Sequence, residues 1–246
     1  MAQHMKRIVS PNYWKTGKKT FYWVTSPRPG KHPQESAIPL IVVLRDMLAL
    51  AKTAREVKAI LKGGNVAIDG KVCTDGKVGV GLMDVIAIPT VSKVYRVLPS
   101  GRGLILSEIP EADGHVKVLK VIRKTTVKGG KTQVTFHDGR NVLMSKEDGS
   151  KIKTGHSALF DLKEKKVSKF IALGRGTTAL VFDGVHSGKI LDISEIKAGS
   201  AYAKPTVLLE SGRKTLETLK DYVIAIGTGK PEITIPENDG KKGGKA

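Results

Sequence analysis

The sequence has little cysteine, and its histidines are scattered. The single cysteine, Cys73, cannot form a disulfide within the chain and is typical of a reducing compartment. None of the six histidines belongs to an H-E-x-x-H motif or is closely spaced with Cys73 as in a zinc site. Disulfide scaffolds and cysteine-rich zinc modules are therefore excluded, and we expect neither a metal nor another cofactor.

Long apolar segments are also missing. The longest apolar run, residues 37–44, stops at Arg45 and is far too short to cross a bilayer. The N-terminus lacks the apolar core of a signal peptide. We therefore expect a cytoplasmic protein without a membrane partner.

A nucleotide-binding phosphate loop is incomplete in this chain. The letters GGKT at 129–132 end many such loops, but the pattern G-x-x-x-x-G-K-[ST] needs a glycine where the chain has Thr125. The residues that follow, QVTFH, alternate as in a strand, whereas the motif requires a helix. A second fragment, GVHSGK at 184–189, is one residue short and is followed by Ile190. Nucleotide hydrolysis is therefore not predicted.

Acidic residues are scarce, and the first 34 residues contain none. Lys and Arg total 42 against 23 Asp and Glu, which gives a formal net charge of +19 and a sequence pI near 9.9. A charge of this size indicates a polyanionic partner. Residues 1–36 are predicted to form a basic arm whose cations are Lys6, Arg7, Lys15, Lys18, Lys19, Arg28 and Lys31.

The same arm is rich in aromatic residues, and its prolines prevent a long helix. The rings are Tyr13, Trp14, Phe21, Tyr22 and Trp23. Because cations neutralise phosphates and flat rings stack on bases, this mixture is suited to single-stranded or irregular RNA. The rings could equally fold back onto a domain as an apolar anchor, and the sequence leaves both interpretations open.

Two helices and a hairpin are predicted after the arm. Leu40, Val43, Leu44, Met47 and Leu48 recur at helical spacing. Thr53 and Glu56 match the capping box of a second helix, which ends at the glycines 63–64. The segment NVAIDGKV then alternates around the dipeptide 69–70, Asp-Gly, as in a tight turn between two strands.

From Tyr95 onward the pattern changes to short β-rich runs separated by glycine turns. The dipeptide Asp-Gly, which favours hairpin turns, occurs seven times in the chain. Strands that recur about every 8–12 residues favour small barrels or sandwiches over a parallel sheet. We expect two β modules that join near Gly174, followed by a polar tail from Pro236 that is disordered when free.

The segment TAREVKAILKGGNVAIDGKV, residues 53–72, resembles the S4 RNA-binding domain. The matching positions are Arg55, Ile60, Leu61, Gly64, Val66, Ile68, Asp69 and Gly70. Further segments, in order, include HMKRIVSPNYW, PRPGKH, GLMDVIAIP, KTTVKGGKTQVTFHDGRN and DYVIAIGTGKPEITIP. Together they are similar to the S4e family of small-subunit ribosomal proteins, almost from end to end, and the short tail is of the archaeal type.

The resemblance implies an α+β fold that is mostly β. The expected domains are the arm 1–36, an S4-like helical hairpin with a small sheet at 37–94, a central β domain at 95–172, a KOW-type SH3-like β-barrel at 173–235 and a flexible basic tail at 236–246. In the barrel, Gly184 and Gly188 match the KOW pattern, whereas His186 and Leu191 replace its usual Asn and last Gly.

The resemblance also implies a structural constituent of the small ribosomal subunit. Such a protein binds and stabilises folded rRNA, contacts neighbouring ribosomal proteins, and has neither a small-molecule substrate nor a homo-oligomeric state. Basic side chains would contact the phosphates. Besides the cations of the arm, the expected contacts are Arg45, Lys52, Arg55, Lys58, Lys62 and Lys71 on the S4 module and Arg123, Lys124, Lys128, Lys131 and Arg140 on the central domain.

Two alternatives stay open. An RNA-modifying enzyme with an S4 module, such as a pseudouridine synthase, would need a catalytic Asp in a G-R-L-D-like loop, but neither Arg140 nor Arg175 is followed by Leu-Asp. No pattern of paired carboxylates identifies a general acid and base, so no catalytic residue is predicted. A free translation factor that visits RNA transiently would carry the same charges, and only the resemblance and the basic arm favour permanent residence.

Overall fold

The structure, a computed structural model, describes residues 4–17, 19–101, 103–200, 202–211 and 214–235. One predicted phosphate contact, Lys18, and the predicted flexible tail from residue 236 onward lie outside the described residues. The described chain forms two two-stranded ribbons, two helical segments near the N-terminus, a short helix further along the chain and three five-stranded antiparallel sheets.

The arm begins with a two-stranded ribbon. Strand β1 (Met5–Lys6) pairs with β2 (Trp23–Val24), and a 3-10 turn at Arg7–Val9 follows β1. Trp14 lies in the hydrophobic core below the ribbon with 3% of its surface exposed. The interpretation of the rings as an apolar anchor therefore holds for Trp14, whereas the rings of residues 21–23 are exposed.

The S4 module contains both predicted helices. After β3 (Ile38–Pro39), helix α1 (Leu40–Val42) continues as a π-helical turn at Val43–Met47. Helix α2 (Ala54–Lys62) starts at a complete capping box, in which Thr53 Oγ1 accepts from the Glu56 N–H at 3.2 Å. The helical spacing and the capping box predicted from the sequence are both confirmed.

A five-stranded sheet completes the S4 module. The next strands are β4 (Ala67–Ile68), β5 (Lys71–Val72), β6 (Gly79–Val80), β7 (Val85–Ile88), β8 (Lys93–Ser100) and β9 (Gly103–Ile109), and a 3-10 turn at Pro89–Val91 separates β7 from β8. The sheet has the order β5-β4-β7-β8-β9, while β6 pairs with β3. The predicted tight turn is confirmed, because Asp69 and Gly70 have φ values of 49° and 75°. The predicted domain boundary after residue 94 lies inside β8, since β8 and β9 extend this sheet.

The central module follows a 3-10 turn at Glu111–His115. Its elements are β10 (Val116–Thr126), β11 (Thr132–Phe136), β12 (Asn141–Met144), α3 (Lys146–Lys151), β13 (Ser157–Asp161) and β14 (Lys166–Ile171), and its sheet has the order β12-β11-β10-β13-β14. The GGKT letters form the tip of the β10–β11 hairpin, where Gly129 and Gly130 have φ values of 83° and 72°. Strand β11 follows this tip, as the alternation of QVTFH predicted, whereas a nucleotide-binding loop requires a helix there.

The third module is a barrel-like sheet. Its strands are β15 (Thr177–Val181), β16 (Ile190–Lys197), β17 (Thr206–Ser211), β18 (Lys214–Leu219) and β19 (Val223–Thr228), in the order β18-β17-β16-β15-β19, with a 3-10 turn at Lys220–Tyr222. Gly184 and Gly188 have φ values of 82° and 87° and shape the loop before β16. Leu191, which departs from the KOW pattern, pairs with Ala179 and packs against the barrel core.

The three modules share an apolar core. Leu98 of β8, Val118 of β10, Ile224 of β19 and Ile233 all pack in one buried cluster. The loop of the barrel also contacts the S4 sheet, because a Cβ added to Gly188 would lie 2.9 Å from the carbonyl oxygen of Pro99. The mostly β fold class predicted from the sequence is confirmed. Among the residues that the structure describes, we find no helical segment with the length and hydropathy of a membrane span.

Candidate nucleic-acid interface

Helix α2 presents a row of cations to solvent. Its apolar side buries Val57 and Leu61, and the spacing of three and four residues places Arg55, Lys58 and Lys62 together on the exposed side. Among the described residues, no carboxylate lies within ion-pair distance of these three cations. Their positive charges are therefore uncompensated by the protein.

The acid nearest to Arg55 in the sequence is engaged in the helix cap. One oxygen of Glu56, Oε2, accepts from the backbone N–H of Lys52 at 2.8 Å and from that of Thr53 at 3.3 Å. The hydrogen bond from Lys52 and those of Thr53 lower the pKa of the Glu56 carboxyl. Because its carboxylate holds the cap, Glu56 leaves Arg55 free to contact an external anion.

The other predicted contacts on the S4 module differ in availability. Lys52, before α2, and Lys71, on β5, are exposed. Arg45 is half-buried and donates two hydrogen bonds of 2.7 Å to the carboxylate of its neighbour Asp46. Lys52 and Lys71 are therefore available to an external anion, whereas the charge of Arg45 is already paired with Asp46.

The β10–β11 hairpin carries a second group of exposed cations. Lys128 and Lys131 lie at its tip and Arg123 lies on β10, all three exposed to solvent. Lys124, which points to the other face of β10, is half-buried and donates to the carbonyl of Ile152 at 3.1 Å. The tip thus extends two lysines away from the body of the central module.

The arm supplies a third group. Lys6, Lys15 and Lys19 are exposed, and Arg28 is exposed and lies 2.8 Å from the carboxylate of Asp75. Arg7 has only 5% of its surface exposed.

Two predicted phosphate contacts, Lys31 and Arg140, belong to an ion network inside the protein. The Asp69 carboxylate oxygen Oδ2 accepts from Lys31 Nζ at 2.7 Å and from Arg140 Nη2 at 3.0 Å. Arg140 Nε also lies 2.8 Å from Asp138 Oδ2. The charges of Lys31 and Arg140 are thus neutralised within the chain, and their contact with RNA stays a prediction.

Lys117 is at the centre of this network. Its fully buried ammonium Nζ lies 2.5 Å from Asp84, 3.0 Å from Asp69 and 3.4 Å from Asp138. Burial acts to lower the pKa of Lys117, but the carboxylates of Asp84, Asp69 and Asp138 outweigh burial and raise the pKa above its ordinary value. Lys117 is therefore charged at neutral pH.

The pKa values of the carboxylates in this network shift in the opposite direction, that is, downward. Burial acts to raise the pKa of Asp84, yet Lys117 and His32 hold it well below its ordinary value. Burial and the neighbouring Asp84 likewise act to raise the pKa of Asp69, and the cations Lys117 and Lys31 lower it. Every charged group of the network thus has an opposite charge beside it, as buried ions require.

This network joins three parts of the chain. Asp69 and Asp84 come from the S4 module and Lys117 from the central module, while His32 of the arm lies with its Nε2 2.9 Å from Asp84 Oδ2. Gly81 permits this approach, since an added Cβ would collide with the His32 ring. The arm is therefore held against the S4 module at His32, and Asp84 connects His32 to Lys117 of the central module.

Two further buried cations hold the remaining junctions. Arg96 of β8 donates to the carbonyl oxygens of Val116 at 2.8 Å, Asp113 at 2.9 Å and Thr234 at 3.1 Å, and burial lowers its pKa to about 10. Lys120 of β10 donates to the carbonyl oxygens of Asp221 at 2.7 Å and Lys220 at 3.1 Å. Burial lowers the pKa of Lys120 to about 8. Lys120 thereby connects the central module to the barrel.

Sequence patterns alone did not reveal these structural cations, although the run VKVLKVI contains a usable signal. Lys117 and Lys120 occupy odd and even positions, so they point to opposite faces of the same strand. Both faces are otherwise apolar, which is typical of a strand covered on both sides. A lysine on each face of such a strand must reach a buried partner.

The converging carboxylates do not form a metal site. Within the described ranges, no group of three or more His, Cys, Asp or Glu residues is arranged to hold a metal ion. The space between Asp69, Asp84 and Asp138 is filled by the Lys117 ammonium.

Comparison with known proteins places this arrangement in a family. The S4 domain matches residues 39–86, and the ribosomal family S4e matches residues 91–167. The small ribosomal subunit protein eS4 of Methanothermobacter thermautotrophicus is 38% identical over 236 residues, which cover 95% of this chain and 96% of the relative. The chain belongs to the ribosomal S4e family.

Other members of the S4e family agree with this assignment. The small ribosomal subunit protein eS4 of Pyrobaculum neutrophilum is 39% identical over 234 residues, which cover 94% of this chain and 98% of the relative. The crystal structure of the 30S ribosomal protein S4e from Thermoplasma acidophilum matches with a TM-score of 0.68 and 31% identity, covering 78% of this chain and 96% of that chain. The resemblance inferred from the sequence is confirmed.

Proposed function

We propose that this S4e-family chain is a structural constituent of the small ribosomal subunit in the cytoplasm. It binds and stabilises folded rRNA, lies beside other ribosomal proteins, and performs no chemistry of its own. The relatives carry the name of a small-subunit protein, and the net charge of +19 suits a polyanionic partner.

One observation carries the proposal, namely the uncompensated cations on α2. Arg55, Lys58 and Lys62 share an exposed face, and the adjacent Glu56 is held in the helix cap. Phosphates that pair with such a face release counterions from RNA, which provides sequence-independent affinity. The exposed lysines of the hairpin tip and of the arm extend the contact beyond the S4 module.

The buried cations support the same function by fixing the spacing of these surfaces. Lys117 connects the S4 module and the arm to the central module, Lys120 connects the central module to the barrel, and Arg96 contacts the segment after β19. Because the modules are already fixed relative to one another, RNA binding does not have to supply the free energy of ordering them. In this proposal the domains keep the order predicted from the sequence, with β8 and β9 joined to the S4 sheet.

The salt dependence of rRNA binding tests the α2 surface. Replacing Arg55 and Lys58 together by Ala should reduce the slope of log affinity against log salt by up to about two units. The control is Lys189→Ala with Lys204→Ala, which removes the same charge from exposed positions of the barrel. A slope unchanged by the α2 substitutions, in a folded variant, would remove this helix from the interface.

Sedimentation distinguishes a resident component from a transient factor. We expect the protein to co-migrate with small subunits on a sucrose gradient after a high-salt wash of the lysate. Release into the light fractions, with RNA binding retained by the isolated protein, would contradict permanent residence and favour a factor that visits the ribosome.

A further inference from the structure

We propose that Phe21, Tyr22 and Trp23 form a site on which unpaired RNA bases stack. The site is called the ring triad below. This inference rests on the proposed function, because it assigns to the arm the single-stranded part of an RNA ligand. It goes beyond that function by separating base contact from phosphate contact.

The pairing of the ribbon forces the last ring of the triad outward. Val24 is buried in the hydrophobic core, and successive side chains of a strand point to opposite sides, so Trp23 points away from that core. The partner strand follows the same rule, since Met5 packs against the core and Lys6, opposite Trp23, is exposed. The pairing of β1 with β2 therefore places the Trp23 side chain on the solvent side of the ribbon.

All three rings of the triad are unusually open to solvent. The exposed fractions are 71% for Phe21, 62% for Tyr22 and 55% for Trp23. Their backbone is nevertheless held in place, because the carbonyl of Tyr22 accepts from the Arg7 N–H at 2.9 Å. Three consecutive large rings on an ordered ribbon form an exposed apolar patch, which marks an interaction site.

The ring geometry leaves faces available for stacking. Tyr22 and Trp23 are T-shaped, with centroids 4.7 Å apart and planes at 85°. His4 lies against Trp23 at 5.6 Å with an interplanar angle of 52°. An edge-to-face contact covers at most one face of one ring. A planar base can therefore lie on a remaining face.

Cations surround the triad, and this charge identifies the occupant. The exposed Lys6 has its Nζ 5.5 Å from the centroid of Tyr22, and the buried Arg7 has its Cζ 5.6 Å from that of Phe21. Lys19 is exposed two residues before Phe21, and the first 34 residues contain no Asp or Glu. An apolar protein partner would need no such charge, whereas RNA offers a flat base and an adjacent phosphate.

Unpaired bases are required, because bases inside a duplex already stack on their neighbours. Single-stranded segments can turn a base onto an aromatic ring, and the interaction tolerates any base. The triad therefore differs from the α2 surface, whose phosphate contacts would serve duplex and single strand alike.

The two tryptophans of the chain allow a direct test. In the full chain carrying Trp14→Phe, Trp23 is the one remaining tryptophan. A single-stranded uridine oligonucleotide should quench its fluorescence, and an RNA duplex of equal length should quench it much less. The matched control is Trp23→Phe, which retains the buried Trp14 and should show little quenching with either RNA. Equal quenching of Trp23 by duplex and single strand would overturn the proposal.

Affinity measurements separate stacking from charge and do not depend on Trp14. Phe21→Ala with Tyr22→Ala should weaken binding of the uridine oligonucleotide about tenfold or more without changing the salt slope. Lys6→Gln should instead reduce the slope by about 0.7, the value for one phosphate on a single strand. Unchanged affinity of the variant that lacks both rings would overturn the proposal that bases stack on the ring triad, while leaving the proposed function intact. Failure of the unaltered chain to bind any RNA would overturn both.

Discussion

The Nζ of Lys117 lies 3.0 Å from Oδ2 of Asp69, although both side chains are fully buried. The pair joins β10 of the central module to the turn after β4, which lies 48 residues earlier in the chain. Because a buried charge is tolerated only beside an opposite charge, a different packing of the two modules that kept either ion buried would leave that ion unpaired. The network therefore holds the two modules in one arrangement.

Replacing Lys117 by Met should strongly destabilise the protein. The substitution preserves much of the side-chain volume but leaves the carboxylates of Asp69, Asp84 and Asp138 without their central cation. We expect a loss of about 3–5 kcal/mol in the free energy of unfolding, measured by denaturant titration. Lys128→Met, at the exposed hairpin tip, should change it by less than about 0.5 kcal/mol. Equal midpoints for the two variants would contradict a structural role for the network.

The His137 imidazole should make the stability depend on pH. Its Nδ1 accepts from the Lys120 N–H at 3.1 Å, and its Nε2 lies 3.3 Å from the carbonyl of Leu82, to which it can donate. Only the neutral ring satisfies both contacts. Burial, with a further contribution from Lys117, lowers the pKa of His137 to about 4.

The direction of this pH dependence follows from the lowered pKa of His137. The unfolded chain has a His pKa of about 6.5, so it binds more protons than the folded chain between about pH 4 and pH 6.5. The free energy of unfolding should therefore fall as the pH decreases through this window, by on the order of 3 kcal/mol. His137→Gln, which keeps one acceptor and one donor, should flatten the dependence, whereas His186→Gln should preserve it. An equally steep curve for His137→Gln would assign the effect elsewhere.

Substitution of Gly103 should loosen the arm. Gly103 has a φ of 117°, and an added Cβ would collide with Cβ of Tyr13, whose hydroxyl donates to the Glu35 carbonyl at 2.5 Å. We expect Gly103→Ala to cost about 1–3 kcal/mol and to increase proteolytic cleavage within the arm. Gly101→Ala is the control, because nothing lies within 4 Å of its added Cβ. If both variants were cleaved at the same rate, the close approach of Tyr13 to Gly103 would not be what holds the arm in place.

Substitutions of Lys31 and Lys15 should distinguish the two roles of the arm's lysines, namely stabilising the buried ion network and contacting RNA phosphates. Lys31 pairs with the buried Asp69, so Lys31→Ala should reduce stability by about 1–3 kcal/mol and leave the salt slope of RNA binding nearly unchanged. Lys15 is exposed, so Lys15→Ala should leave stability unchanged and lower the slope by about 0.7–0.9. A lower slope for Lys31→Ala, at full stability, would show that Lys31 contacts phosphate instead of serving the network.

Local chemistry explains which elements could be predicted from the sequence. The capping box of Thr53 and Glu56 and the turn at Asp69 depend on neighbours within a few residues, and both form as expected. The alternation that begins at Tyr95 correctly predicts strands, but it does not specify the sheet that each strand joins. The predicted boundary after residue 94 therefore lies within β8, which pairs with β7.

The buried ions could not be predicted in the same way. Lys117 and Asp84 are 33 residues apart and meet only when two modules pack, and a charged residue in a sequence looks the same whether it is solvated or paired. The surface of α2 was easier to identify, since helical spacing and family resemblance both indicate it. Arg140 carries the same charge as the exposed arginines, yet its side chain turns inward to Asp69 and Asp138.

Arg96 also has a consequence for the order in which the protein is made. Its acceptor on Thr234 lies 138 residues further along the chain, and Ile233 packs beside Leu98 in the shared core. Synthesis runs from the N-terminus, so the S4 sheet leaves the translating ribosome long before the segment that covers it. A nascent chain that ends before Ile233 leaves the guanidinium short of one acceptor and part of the core open to solvent. The hydrogen bonds of Arg96 and the packing around Leu98 are therefore complete only after residue 234 has been synthesised.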